Sequence, residues 1–270
     1  MTDLAALFDS YGRKARLYPS LLAVLAPLVT VLAWVPVLVT GAAGASIVAI
    51  AAGCGLLYAL SVFARRAGKR VETRLLSAWG GWPTTLMLRH RQSALPKPTL
   101  QRYHRYLAEG SQLKLPSLEK EARDPLGSDA VYASAVQWLK EQRRGDDYAL
   151  VHKENAEYGF RRNLQGLKRV AITLCVMGIV VSAVLISLSE GGPRPFDVSA
   201  AGFQRLWMVA TPVVWAAAIF NAILLAGWII VVTDDWVREA GDQYAVALLA
   251  TCDSPSKVTV QPTNSTLTVR

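Results

Sequence analysis

Residues 45–70 read ASIVAIAAGCGLLYALSVFARRAGKR, and this stretch decides the fold class. From Ala45 to Ala64 no side chain is charged, and Arg65, Arg66, Lys69 and Arg70 follow at once. An α-helix needs about 20 apolar residues to cross ~30 Å of hydrocarbon, and Lys and Arg at the end of such a run favour the cytoplasmic side. The stretch predicts a membrane-spanning helix that runs on into a basic, water-facing segment.

Working outward, Ser20–Thr40, Val170–Ser189 and Leu206–Thr233 are equally free of charge. The chain is 52% apolar and 18% charged, with a formal net charge of +9. These proportions predict an all-α integral membrane protein: two transmembrane helix pairs flanking a basic helical cytoplasmic domain. Residues 1–19 are then an N-terminal cytoplasmic segment, 20–40 and 45–64 a hairpin, and 65–169 the basic domain. Residues 170–189 and 206–233 form the second pair around an outer loop, 190–205, and 234–270 a cytoplasmic helix and disordered tail. Arg13, Lys14 and Arg16 precede the first block as the basic region of a cleaved leader would. The block is long for a leader, and a second apolar block follows directly, so it is expected to stay.

Counting Lys and Arg sets the orientation. The segments before Ser20, between the second and third blocks, and after Thr233 carry 3, 21 and 3, whereas Gly41–Gly44 carries none and Glu190–Arg205 carries two. Both termini and the middle domain are therefore expected in the cytoplasm. Cys54 and Cys175 fall in apolar blocks and Cys252 in the tail, without a C-x-x-C pair, which reads as apolar filling.

Leu4, Leu7, Phe8 and Tyr11 recur at helical spacing beside the basic triplet, which reads either as an interfacial helix or as a frayed terminus. Ala45, Ala49 and Gly53 form one smooth stripe and Ala218, Ala222 and Ala226 another, which predicts close helix packing and a homo-oligomer. Pro27 and Pro36 invite kinks. The second helix is expected to continue through Leu76 and stop near Trp79-Gly80-Gly81-Trp82-Pro83, with the tryptophans packing a corner of the soluble domain. Trp207 and Trp228 are expected to anchor the fourth helix at the two interfaces.

The strongest basic cluster holds Arg89, His90, Arg91, Lys97, Arg102, His104 and Arg105, with Tyr103 and Tyr106 interleaved. Thr99 is expected to cap a helix that buries Leu100, Tyr103 and Leu107 and turns Arg102, Arg105 and Tyr106 outward. Arginines beside aromatic rings bind phosphates and stack bases, so Arg89, Arg91, Arg102, Tyr103, Arg105 and Tyr106 are the candidate ligand contacts. A solvated face beside anionic lipid has the same composition. Ser117 and Ser128 read as caps of two further helices, the second burying Val131, Tyr132, Ala135, Trp138 and Leu139. The polar run from Glu154 to Asn163 suits an assembly surface or a vestibule wall.

The chemistry of an enzyme is missing. His90, His104 and His152 have no metal-ligand partners at suitable spacing, and no H-E-x-x-H, G-x-S-x-G, Walker-type or G-x-G-x-x-G pattern occurs. The expectation is a protein without catalytic residues, metal or cofactor. The spans also lack the ionisable residues that mark a secondary transporter.

Two readings remain. In one, copies assemble around a conduit lined by Thr173, Ser182 and Asn221, with Asp234 and Asp235 at its cytoplasmic mouth, and the basic domain senses an anionic ligand. In the other, the helices are an anchor, and the basic domain is a scaffold for a partner protein or lipid headgroups. The layout, with segments such as Tyr11-Gly12-Arg13-Lys14-Ala15-Arg16-Leu17-Tyr18-Pro19 and Tyr158-Gly159-Phe160-Arg161-Arg162-Asn163, resembles the small membrane effectors of bacterial anti-phage systems. The channel-forming subunit of Hailong systems is the nearest of these. That resemblance is architectural and transfers no functional residue. It implies a channel or pore-forming effector responsive to a nucleotide or oligonucleotide, made by a nucleotidyltransferase encoded nearby.

Overall fold

A computed structural model describes residues 10–34, 43–189 and 199–253, and every regular element among them is helical. A helical turn Ser10–Gly12 and a π-helical turn Arg13–Leu17 lead without a break into α1 (Tyr18–Trp34). The helices α2 (Ala43–Trp79), α3 (Pro83–Leu88), α4 (Lys97–Ser111), α5 (Leu118–Arg123) and α6 (Pro125–Gln142) follow. The last four are α7 (Ala149–Leu188), α8 (Ala200–Val209), α9 (Pro212–Ile230) and α10 (Asp234–Ala250).

Two of these are long, α2 with 37 residues and α7 with 40, because nothing interrupts either helix where apolar sequence gives way to polar. The stop of α2 is as expected. Gly80 and Gly81 take φ of +80° and +141°, and the Gly81 amide donates to the Leu76 carbonyl at 2.9 Å, closing the last turn as only glycine does readily. Where α2 and α7 cross, the backbones touch: a Cβ on Gly166 would lie 2.5 Å from the Ala67 carbonyl carbon, and one on Gly68 2.0 Å from Asn163 Oδ1. The π-helical lead-in approaches α7 in the same way, Gly159 facing Ala15 and Tyr11.

Among the described residues three helical stretches are long and apolar enough to cross a membrane: Arg13–Trp34, Ala149–Leu188 and Pro212–Ile230. Their shared core comprises Ala23, Ala26, Leu164, Leu167, Ala171, Cys175, Trp228 and Val232, joined by Ala64 of α2. Trp228 is thus a core side chain rather than an interfacial anchor, whereas Trp207 on α8 is 71% exposed, with Trp215 at 5.3 Å between ring centroids. The apolar run 45–64 lies within α2, but its side chains before Leu56 are outside the described residues. So are Leu4, Leu7 and Phe8, Pro36, the glycine turn before Ala43, the Ala45/Ala49/Gly53 stripe, residues 190–198 of the outer loop and the tail from residue 254.

The fourth predicted span, 206–233, is not one helix. It breaks at Ala210 and Thr211, both extended, because Pro212 has no amide to donate and its ring excludes the preceding turn. Thr211 caps the new helix by accepting from the Val214 amide.

The described chain divides into two units, residues through Pro83 with Gly145–Tyr244, and Thr84–Arg144 with the stretch from Ala245. The sequence between 65 and 169 therefore contributes to both. In the second unit Leu88 is buried, and so, as the helical spacing predicts, are Leu100, Tyr103, Leu107, Tyr132, Ala135 and Leu139, whereas Val131 and Trp138, expected with them, are half-buried. Two predicted caps differ. The helix α4 starts at Lys97, so Thr99 lies inside its first turn. Asp124 rather than Ser128 caps α6, accepting from the Gly127 amide at 2.9 Å ahead of Pro125, and Ser128 is buried within the helix. Ser117 caps α5 as expected.

Candidate functional site

Carboxylates answer most of the predicted ligand contacts. Arg89 is buried and makes a two-pronged pair with Asp129, at 2.8 Å from Nε and 2.7 Å from Nη2. Arg91 pairs with Glu121 at 2.9 Å and with Asp129 at 3.0 Å. Glu121 also accepts from the His90 and Arg91 amides and from the Tyr132 hydroxyl. Burial alone would raise its carboxyl; these donors outweigh burial and hold it below the ordinary value. His104, whose protonated Nε2 donates to the Leu88 carbonyl at 2.8 Å, is pushed below the usual imidazole range chiefly by burial. Arg89 thus serves the interior of the second unit, and Arg91, exposed at its edge, is held by the same carboxylates.

The outward side of α4 is different. Arg102 makes a fork with Asp253 at 3.1 Å, and both side chains are about half exposed. One helical turn on, Arg105 is exposed with no carboxylate partner among the described residues. Tyr103 is buried and donates to Asp253. Tyr106 was expected to point away; it is half-buried, with Arg143 donating to its hydroxyl and lying 5.7 Å from its ring centre, and with Trp138 alongside. Of the six candidate contacts, Arg91, Arg102 and Arg105 are exposed; Arg91 is held by two carboxylates, Arg102 by one and Arg105 by none among the described residues, so Arg102 and Arg105 are the more open to a ligand.

The candidate pore-lining groups also separate. Asn221 is fully buried, and its Nδ2 donates to Thr30 Oγ1 at 2.9 Å while Gly178 of α7 backs the pair. The Asn221 Oδ1 has no partner among the described residues. Ser182 is buried and accepts from Trp34 Nε1 at 3.1 Å. Both groups fasten helices of one protomer. Thr173 is exposed on α7, and its hydroxyl donates to the Arg169 carbonyl. Asp234 accepts both prongs of Arg74 at 2.7 Å and the Gln165 amide at 2.6 Å, which hold its carboxyl low. Asp235 is exposed.

The run Glu154–Asn163, expected at an assembly surface or vestibule, is instead largely buried within the protomer, since Ala156, Tyr158, Gly159, Arg162 and Asn163 all face neighbouring helices. Here Glu72 accepts from Arg162 at 2.6 Å, from Lys69 at 2.7 Å and from Tyr158 at 3.2 Å. Arg162 donates also to Asn163 Oδ1, whose Nδ2 reaches the Ala15 carbonyl at 2.6 Å. This network ties α2, α7 and the π-helical lead-in together. Trp79 packs here, near Leu75, Tyr158 and Val237, under Arg238. Glu72 had a signal in the sequence, being the one acid between Asp9 and Glu109 in a strongly basic stretch.

Among the described residues no cluster of His, Cys, Asp and Glu could hold a metal ion. Compared with known protein families, curated proteins and solved structures, the chain matches none.

Proposed function

We propose that the chain is a multi-pass protein of the bacterial inner membrane, with both termini and its second unit in the cytoplasm. It assembles as a homo-oligomer into a conduit controlled by a phosphate-bearing anion, a nucleotide or oligonucleotide, in anti-phage defence. The apolar start of α2 supplies a fourth crossing. The observation that carries this reading is the exposed pair of Arg102 and Asp253 beside Arg105, which has no carboxylate partner among the described residues. An exposed carboxylate pair is weak, and a phosphate offers guanidinium groups a more highly charged partner of the same two-pronged geometry. A ligand can therefore displace Asp253 and gain Arg105.

Because Asn221 and Ser182 are used inside the protomer, the conduit lies between copies. The outward sides of α7 and α9 supply Thr173 and the small residues Ala222 and Ala226, all exposed. The test is binding of short DNA, RNA and cyclic nucleotides to the full chain in neutral detergent, with Arg102→Gln and Arg105→Gln. Binding should fall with salt and with either substitution. Ligand binding unaffected by both would remove this site. The inward-turned Asn221 and Ser182 favour a second reading, a non-conducting anchor whose second unit binds a partner protein or anionic lipid.

A further inference from the structure

A second group of arginines without carboxylate partners among the described residues lies along α2. Tyr58, Val62, Arg65, Arg66, Lys69 and Arg70 line a cleft of about 480 Å³, with Arg16 of the π-helical lead-in closing one side. Lys69 is the wall cation with a carboxylate partner, Glu72. Arg65, Arg66 and Arg70 are exposed and, like Arg16, have no carboxylate partner among the described residues; Arg16 lies 5.8 Å from the Tyr11 ring centre.

The wall positions on α2 follow Tyr58 by four, seven, eight, eleven and twelve residues, so they form one stripe about 18 Å long at 1.5 Å per residue. Its first half, Tyr58 to Val62, belongs to the apolar run that ends at Ala64, and Leu56 and Phe63 beside it are exposed. Its second half is cationic. Few ligands need both halves. Inorganic phosphate or a nucleotide would use the arginines and leave the apolar half bare, whereas a phospholipid changes from hydrocarbon to phosphate over the same distance.

We propose that this cleft is a binding site for an anionic phospholipid. The headgroup phosphate is held by Arg16, Arg65, Arg66 and Arg70, and the first acyl carbons lie along Tyr58 and Val62. A choline or ethanolamine headgroup brings its own cation against four guanidinium groups, so the site selects phosphoglycerol-type lipids over zwitterionic ones. This goes beyond the ligand proposed for Arg102 and Arg105 and stands if that reading fails.

The experiment uses the full chain in neutral detergent, exposed to equal amounts of phosphatidylglycerol and phosphatidylcholine, with retained lipid counted per protein by mass spectrometry. The variants are R65Q/R66Q, the milder R16Q, V62W, which fills the apolar half with every charge intact, and R105Q as control. Phosphatidylglycerol should be retained in excess; affinity should fall roughly 30-fold in R65Q/R66Q and roughly fivefold in R16Q. V62W should also lose lipid, R105Q should not, and inorganic pyrophosphate should not displace it. Equal retention of the two lipids would overturn the proposal, as would an unchanged V62W together with displacement by pyrophosphate, which would mark a free-phosphate site. Should R65Q/R66Q fail to purify, R16Q and V62W decide the matter.

Discussion

Arg162 Nη1 stands 2.6 Å from Glu72 Oε1, and both residues are less than a tenth exposed. This pair joins the middle of α7 to α2 where the apolar spans give way to polar helix, and its surroundings satisfy the remaining prongs through Asn163, Lys69 and Tyr158.

Removing one partner leaves the other buried and uncompensated. Arg162→Ala should cost about 3–5 kcal/mol of stability, and Glu72→Ala should be similarly severe. The double variant Glu72→Ala/Arg162→Ala should be less damaging than the sum of its parts. Denaturant unfolding of the four proteins in one detergent checks this; additive losses would show that the pair is not coupled.

The glycines give a test of opposite signs. Gly166→Ala places a methyl against the backbone of Ala67, so α2 and α7 must part, at a cost of about 1–3 kcal/mol. A Cβ on Gly227 in α9 meets nothing within 4 Å, so Gly227→Ala should leave stability unchanged or raise it by up to about 1 kcal/mol. Thermal unfolding should shift down for Gly166→Ala and stay level or shift up for Gly227→Ala.

Acidification should loosen the second unit in two stages. His104 is held below its ordinary 6.5 mainly by burial, so below that pH the unfolded chain takes up a proton that the folded unit refuses, and stability falls. Glu121 is held below its ordinary 4.5 because its donors outweigh burial, so its contribution is present above that value and is lost as pH falls through its lowered one. Hydrogen exchange over residues 84–144 of the full chain should quicken from about pH 6.5 downward, and His104→Gln should flatten the first stage while leaving the second.

How much of this was legible in the sequence depends on whether local spacing or distant pairing decides. Uncharged runs and the Gly80-Gly81 stop are local, and α1, α2 and the apolar half of α7 follow from them. The spacing of Leu100, Tyr103 and Leu107 also gave the buried side of α4. The fourth span failed at Pro212, whose effect depends on whether neighbouring groups take up the freed carbonyls. The charged cluster was misleading for a different reason: Arg89 and Arg91 meet Asp129 and Glu121 some 30 to 40 residues later, and composition does not reveal that pairing. Asn221 needed a partner, and nothing in its neighbourhood names Thr30, 191 positions away.

Assembly offers a further check. Ala222 and Ala226 are exposed on α9, and a close helix contact between copies tolerates no larger side chain there. Ala222→Leu should lower the mass of the complex in mild detergent or the yield of cross-linked species, whereas the exposed Arg105→Gln should not. A wild-type chain that is monomeric in several mild detergents would remove the conduit between copies.

The most direct test of the central claim is current through a planar bilayer containing the purified full chain, recorded before and after a short oligonucleotide is added on the side of its second unit. The account predicts discrete conductance that the oligonucleotide changes, with the response lost in Arg102→Gln/Arg105→Gln. Oligomeric protein that passes no current above the bare bilayer, with ligand or without, would contradict it.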